Sequence, residues 1–468
     1  MESTEKPSEA WALRSLALAM LLSSTGVSIP NVALPSIAQE FAATFPEVQW
    51  IVLIYLLAMT IVIVTAGRLG DLYGRRKILL HGILLFTGAA FIGCVAPSLW
   101  VLIGTRAIQG VGAAMIMALT VASVRETIPK EKVGRAMGLL GTMSAVGTAS
   151  GPSIGGLMIS AFSWRGSFLI MVILGILSFY LIFRFVPPGN HEADRAQKSF
   201  DILGTCFLGV TLAAYALGVT LGGGHFTEVN WLLLAIAVVG IGGFLLTERM
   251  VTSPLIRLSV FRSCGISSSL VMNAIVATVM MATLVVGPFY LARGLALDAV
   301  RVGAVMSVGP AMSILTGIPS GRIVDRFGSS LVMTIGLIEM AIGVIALIFM
   351  PPIFGSIGYM IAVAILSPGY QLFQAANSTA VMLDVAQEER GVISGLLSLS
   401  RNLGLITGAS VMGAVFSFAS ELAKDSASSS QSIAIGMKST FSLALCLICI
   451  AIVTAIYFNP DFTKKAKP

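Results

Sequence analysis

One apolar run follows another along this chain, each close to the length a helix needs to cross a lipid bilayer. A bilayer core of about 30 Å takes about 20 apolar residues as α-helix. By that ruler about fourteen runs qualify, near 13–33, 49–67, 79–97, 100–124, 134–160, 165–186, 203–222, 231–247, 264–292, 302–319, 331–350, 355–382, 392–418 and 440–458. Inside hydrocarbon every backbone amide must be paired within the protein, and runs this long pair theirs as helices. Composition agrees: 56% of the 468 residues are hydrophobic and 11% charged, against about 25% charged in soluble domains. The expected fold class is an all-α polytopic membrane protein. The opening "MESTEKPSEAWALRS" is polar, and the apolar run after it lacks a small-residue cleavage site, so the first run reads as a retained span.

Charge orients the spans. With the N-terminus inside, about 22 Lys and Arg fall on the inner side and about five on the outer, while only Arg106 and Arg401 fall inside spans away from their ends. This bias predicts an even number of spans and both termini in the cytoplasm, with the chain in the cell membrane. It also accounts for the net charge of +7 without nucleic acid. The five cysteines lie in or beside apolar runs, and the three histidines (His81, His191, His225) are scattered. Cys446 and Cys449 have CxxC spacing inside "SLALCLICIAIV" but no second pair, so they read as small buried hydrophobes. No HExxH pattern occurs. The sequence therefore predicts no metal, no cofactor and no enzymatic activity.

Two phrases recur. "GRLGDLYGRR" at 67–76 returns as "GRIVDRFG" at 321–328, an offset of 254. "GRAMGLLGTMSAVGTASGPSIGG" (134–156) lies without a gap over "GVISGLLSLSRNLGLITGASVMG" (391–413), an offset of 257, with five glycines in register. Two blocks at nearly one offset predict two homologous halves, an arrangement that lets a pair of bundles rock about a central site. The expected organisation is a six-helix bundle over 1–187, a linker with two extra helices over 188–262, and a second six-helix bundle over 263–468.

Four motifs carry a family resemblance. The 67–77 loop and its second copy resemble the loop signature of the major facilitator superfamily. "RAIQGVG" (106–112) resembles its Arg-x-x-Gln-Gly element in the fourth span, and "AVGTASGPSIGG" (145–156) its fifth-span antiporter element. "RNLGLITGASVMG" (401–413) is similar to the eleventh-span element of the fourteen-span drug:proton antiporters. The resemblance implies two six-helix bundles related by a pseudo-twofold axis, plus two extra central helices. It implies a gating latch of Gly67, Asp71, Gly74, Arg75 and Arg76, with Asp325 in the second copy. In that latch each carboxylate meets the start of a helix in the opposite half, where unpaired amides leave partial positive charge. A plain basic cytoplasmic loop is the competing reading.

Gly147, Gly151 and Gly155 line one helix face, joined by Gly156, and Pro152 removes a backbone hydrogen bond. The stripe serves close packing, and the proline adds a hinge. Arg106 must face the interior or snorkel to the outer headgroups; the motif match and Gln109 beside it favour the interior, where the two are candidates for proton coupling or substrate contact. Arg401 contributes positive potential or braces packing. Relatives that export cations carry a span-1 acid, and Gly26 stands where it would align. By elimination Glu339 becomes the candidate proton-coupling group, with a structural pairing as the alternative. Asn31, Asn273, Gln371, Gln374 and Asn377 are candidates to line the cavity, or to act as interhelical glue.

Together these features predict an exporter of amphiphilic, neutral or anionic small molecules driven by proton influx, acting as a monomer in the bilayer. Metabolite uptake by the same fold, or a non-transporting membrane sensor, are the alternatives.

Overall fold

A computed structural model describes residues 9–127, 133–187, 202–221, 227–250, 264–383, 390–423 and 428–457. Of the expected linker over 188–262, residues 188–201, 222–226 and 251–262 lie outside the described residues, as do the basic C-terminal tail and residues 128–132.

Among the described residues every regular element is helical. The first bundle holds α1 (Glu9–Glu40), α2 (Phe45–Tyr73), α3 (Arg75–Cys94), α4 (Leu99–Thr127) and α5 (Val133–Phe185). Next come α6 (Ile202–Thr220) and α7 (Glu228–Met250). The second bundle holds α8 (Cys264–Phe289), α9 (Ala299–Met306), α10 (Val308–Phe327), α11 (Ser329–Leu383), α12 (Arg390–Thr407), α13 (Gly413–Leu422) and α14 (Ser429–Tyr457). A π-helical turn, Gly408–Met412, joins α12 to α13 into one rod.

Helices α5 and α11 run for 53 and 55 residues, about 80 Å each and more than twice the bilayer core. Each therefore turns back. The first breaks at Phe162 and Ser163, where Ser163 has φ 59°, and the second at Gly355, with φ 58°. Among the described residues eleven helices are long and apolar enough to cross a membrane, and Cys206–Thr220 is a shorter apolar one. With two of the long helices folded into paired arms, the passes match the fourteen expected from the sequence.

The two sequence offsets reappear as packing. Gly82 of α3 and Gly112 of α4 meet so closely that a Cβ built on Gly112 would lie 2.6 Å from the Gly82 carbonyl oxygen. Gly336 and Gly369, offset by 254 and 257, meet across the arms of α11 in the same way, each hypothetical Cβ 2.8 Å from the other's carbonyl. Gly147 abuts the Leu21 carbonyl of α1, and Gly404 abuts that of Ala274 on α8. The recurring phrase has one shape in both halves: Gly74 and Gly328 take φ values of 101° and 85°, and their amides donate to the carbonyls of Gly70 and Val324, both at 2.9 Å. Residues with side chains rarely adopt that backbone, so glycine closes both copies. These are two six-helix bundles related by a pseudo-twofold, with α6 and α7 added between them in the chain.

The halves meet at the face away from the chain termini. Phe45 at the start of α2 packs edge-on against Phe289 of α8 (4.6 Å between centroids) and Phe416 of α13 (4.9 Å). Gln49, one turn on, presses against Gly413. Along the other seam α5 meets α9: a Cβ on Gly303 would lie 2.4 Å from the Pro152 carbonyl, and one on Gly156 would lie 2.6 Å from that of Ala299. Ser153 and Ser307 share a short hydrogen bond there. At the termini face, Gly67 and Gly321 have no neighbour within 4 Å of a hypothetical Cβ, and Asp325 is exposed. Across the two halves the far face is sealed by these contacts.

Backbone this close leaves no room for a methyl group. Gly303→Ala should lower stability by about 1–3 kcal/mol, read as thermal unfolding in detergent. Gly104→Ala, with open space at the position, should change it by less than about 0.5 kcal/mol. Equal effects at the two sites would show that the seam is loosely packed.

Candidate functional site

Arg106, the one arginine that the sequence places in the interior of the first half, is completely buried. It lies seven residues into α4, near the far face, yet does not snorkel. Its Nε donates to the Ile51 carbonyl at 3.1 Å and its Nη2 to the Gly26 carbonyl at 2.9 Å. Nη1 donates to Gln109 Oε1 at 2.5 Å, and the guanidinium stands 4.0 Å over the Tyr55 ring. Tyr55 in turn donates to the Ser23 carbonyl, and Gln109 reaches Met171 on the second arm of α5. One planar cation thus ties together α1, α2 and α4, and through Gln109 the second arm of α5.

No carboxylate takes part. The charge is met by carbonyl dipoles and a ring face, which suits the weakly hydrated guanidinium better than an ammonium. Gly26 explains the missing span-1 acid sterically: a Cβ there would lie 2.8 Å from the Phe86 ring and 2.9 Å from the Tyr55 hydroxyl. The space an acidic side chain would need is filled by aromatic rings.

The other predicted residues divide into two groups. Asn31, Asn273 and Asn377 are buried between helices rather than facing open space. Their amides donate to the carbonyls of Val27, Leu397 and Ser269, at 3.0, 2.9 and 3.4 Å. The bonds of Asn273 and Asn377 cross between helices, whereas that of Asn31 stays within α1. Gln371 and Gln374 are half-buried, with Gln374 donating to the Tyr370 hydroxyl at 3.1 Å. Arg401, expected well inside its span, is exposed. Glu339 is half-buried on the first arm of α11, its Cβ packed against Gly369 of the second arm.

Of the latch residues, Arg75 donates to the Ala122 carbonyl at 3.2 Å, and Arg76 to the Phe183 carbonyl with its guanidinium over the same phenyl ring. Both bonds stay within the first half. The Asp71 side chain lies outside the described residues. Gly151 and Gly155 pack on α1 at Ser28 and Ile29, whereas Gly156 and Pro152 face the second half. The stripe therefore serves two interfaces at once.

The far seal of Phe45, Phe289 and Phe416, with Gln49 beneath it, left no distinct mark in a chain with 24 phenylalanines. Outside that seal a cavity of about 750 Å³ opens, walled by residues that include Trp50, Trp100, Thr220, Arg293 and Glu421.

Arg106→Lys keeps the charge but loses the planar fork and so part of the carbonyl set. Charged hydrogen bonds contribute about 1.5–3 kcal/mol each, so thermal unfolding in detergent should show a loss of at least that size. Arg401→Lys, at an exposed position, should stay within about 0.5 kcal/mol. An unchanged Arg106→Lys protein would show that the cluster does not brace the bundle.

Comparison with known proteins agrees with this geometry. The family model described as Major Facilitator Superfamily matches residues 16–409 and 269–468. The riboflavin transporter RibZ of Clostridioides difficile is 26% identical over 95% of this chain and 96% of its own. The multidrug resistance protein Stp of Mycobacterium tuberculosis is 30% identical over 83% of this chain and 72% of its own. The tetracenomycin C resistance and export protein of Streptomyces glaucescens is 27% identical over 86% and 74%. Among solved structures, a bacterial homolog of the human lysosomal transporter Spinster, inward-facing and unoccupied, has a TM-score of 0.68. It is 16% identical and covers 98% of each chain, a likeness of fold. With its duplicated bundles, its recurring loop and this match along most of its length, the chain belongs to the Major Facilitator Superfamily of membrane transporters.

Proposed function

We propose that the protein is a secondary active exporter of amphiphilic, neutral or anionic small molecules, in the manner of the fourteen-span drug:proton antiporters. The observation that carries this reading is a far face sealed across the two bundles by side chains, Phe45 against Phe289 and Phe416, a contact that can part and reform as the halves rock. With the termini in the cytoplasm, as the charge bias suggests, the sealed face is the outer one. Export relatives such as Stp and the tetracenomycin C protein support the direction. The riboflavin transporter among the relatives supports a second reading, movement of a single metabolite by the same fold.

Substrate charge follows from the interior. The first half carries a buried arginine and no acid at Gly26, so a cationic solute would find no counter-charge there. Glu339 is the proton-coupling candidate: a half-buried carboxyl in a span can change charge as the halves rock. In the alternate state, Asp71 and Asp325 close the termini face against the starts of α12 and α5, where helix ends favour negative charge.

In everted vesicles, uptake of anionic or neutral toxicants should require an imposed pH gradient and collapse with a protonophore. Quaternary ammonium dyes should be moved less. Indifference to the protonophore would remove proton coupling, and a preference for the dyes would remove the proposed charge selectivity. Glu339→Gln should lose gradient-driven flux while keeping substrate exchange; parental behaviour would exclude it as the coupling group.

A further inference from the structure

The two helices between the bundles are not a passive insert. Helix α6 touches both halves, at the seam that α2 makes with the α12–α13 rod. Tyr215 of α6 donates its hydroxyl to Thr407 Oγ1 at 3.1 Å, at the last residue of α12. Six residues earlier, Gly209 faces Ile61 of α2, and a Cβ there would make only ordinary contact, 3.5 Å from the Ile61 side chain. One face of α6, with Leu208, Leu212, Ala216 and Val219, is buried. Helix α7 backs it tightly: Gly240 and Gly243 admit Thr211 and Phe207, and Asn230 donates to the carbonyls of Gly218 and Leu221. The pair is a rigid hairpin pressed on a joint between two bodies.

Depth gives the contact its meaning. Thr407 lies at the middle of the 390–422 rod and Ile61 near the middle of α2. When two rigid bodies rock so that one end closes and the other opens, their ends move apart while the middle moves least. The Phe45 contacts at the far face must break in the alternate state, but a contact at mid-depth need not. The landing point is also irregular. Thr407 immediately precedes the π-helical turn, where Ser410 turns its hydroxyl back onto the Ile406 carbonyl at 2.7 Å. Such turns interrupt the regular ladder and give a helix a local point of adjustment.

We propose that α6 is a strap clamped to both halves at the pivot, held by Tyr215 on Thr407 and sliding at Gly209 on Ile61, and that it stays engaged through the whole cycle. It closes this seam to lipid side chains and confines the halves to rocking. The inference rests on the rocking motion in the proposed function, not on the substrate or the proton.

The test bridges the contact covalently and watches the far face. In a background with the five native cysteines replaced, Tyr215→Cys and Thr407→Cys are joined by a short bis-methanethiosulfonate. The tyrosine ring sets the backbones too far apart for a direct disulfide. Spin labels on ketone-bearing residues at Trp100 and Leu422, both exposed at the far face, report the opening in lipid nanodiscs over an acid-to-alkaline pH series. The expected result is two distance populations with or without the bridge. As the arresting control, a bridge between Phe45→Cys and Phe416→Cys should leave only the shorter one. Collapse to a single population under the 215–407 bridge would overturn the strap. A single distance in the unbridged protein would overturn the rocking motion and the strap with it.

Discussion

Within a bilayer there is no water to expel from between helices, so what holds them together is backbone brought into direct contact. That constraint organises this protein. Gly82 on Gly112 and Gly336 on Gly369 join neighbouring helices at mid-bundle, and Gly147 and Gly404 seat α5 and α12 on the first helix of each half. Each contact needs a residue without a side chain, so each half is set as a stiff unit before any polar group is considered. The same device, at Gly156 and Gly303, then joins the halves. One kind of interaction therefore makes both the rigid bodies and one of the seams between them.

The buried arginine deepens the rigidity of the first half. An unpaired cation in a low-dielectric interior is costly, and here the balance comes from fixed dipoles: the carbonyls of Gly26 and Ile51, the Gln109 amide and the face of Tyr55. Those carbonyls belong to α1 and α2: the one at Ile51 has an ordinary amide four residues on, whereas the one at Gly26 faces Pro30, which has no N–H to give it, so the guanidinium fills an acceptor that the proline leaves free. Arg106 is thus a cross-brace that leaves a positive potential near the far end. It is also a reason for the glycine at position 26, because any side chain there would displace Phe86 or Tyr55.

The fold was largely written in the spacing of apolar runs, and the duplication in two offsets, because periodic burial and repeated glycines survive as pattern. The site was legible only in part. Arg106 and Gln109 stood out as polar residues in an apolar span, but the acceptors were backbone carbonyls, which every residue has and no sequence marks. Asn31, Asn273 and Asn377 could be read two ways, because an amide in a span can face either a solute or a neighbouring helix; all three are buried, and Asn273 and Asn377 bond across helices. The aromatic seal and the Tyr215 contact were silent for a similar reason: a phenylalanine at a seam has the same chemistry as one facing lipid.

The two seams between the halves differ, and the difference bears on how the molecule can move. Along α5 and α9 the backbones touch, so sliding there is restricted to motions that keep glycine against carbonyl. Along α2 and the α12–α13 rod the contact is made by side chains, Phe45, Gln49 and the rings around them, which can separate and reform. Aromatic pairs of this kind contribute about 0.5–1.5 kcal/mol each beyond their burial. The two that Phe45 makes therefore amount to roughly 1–3 kcal/mol favouring far-face closure. Moving a two-state equilibrium from one extreme to the other takes about 5.5 kcal/mol of differential binding. A seal of this size favours far-face closure and is smaller than the range such an equilibrium spans. A backbone seam on both sides would have fixed the molecule in one state.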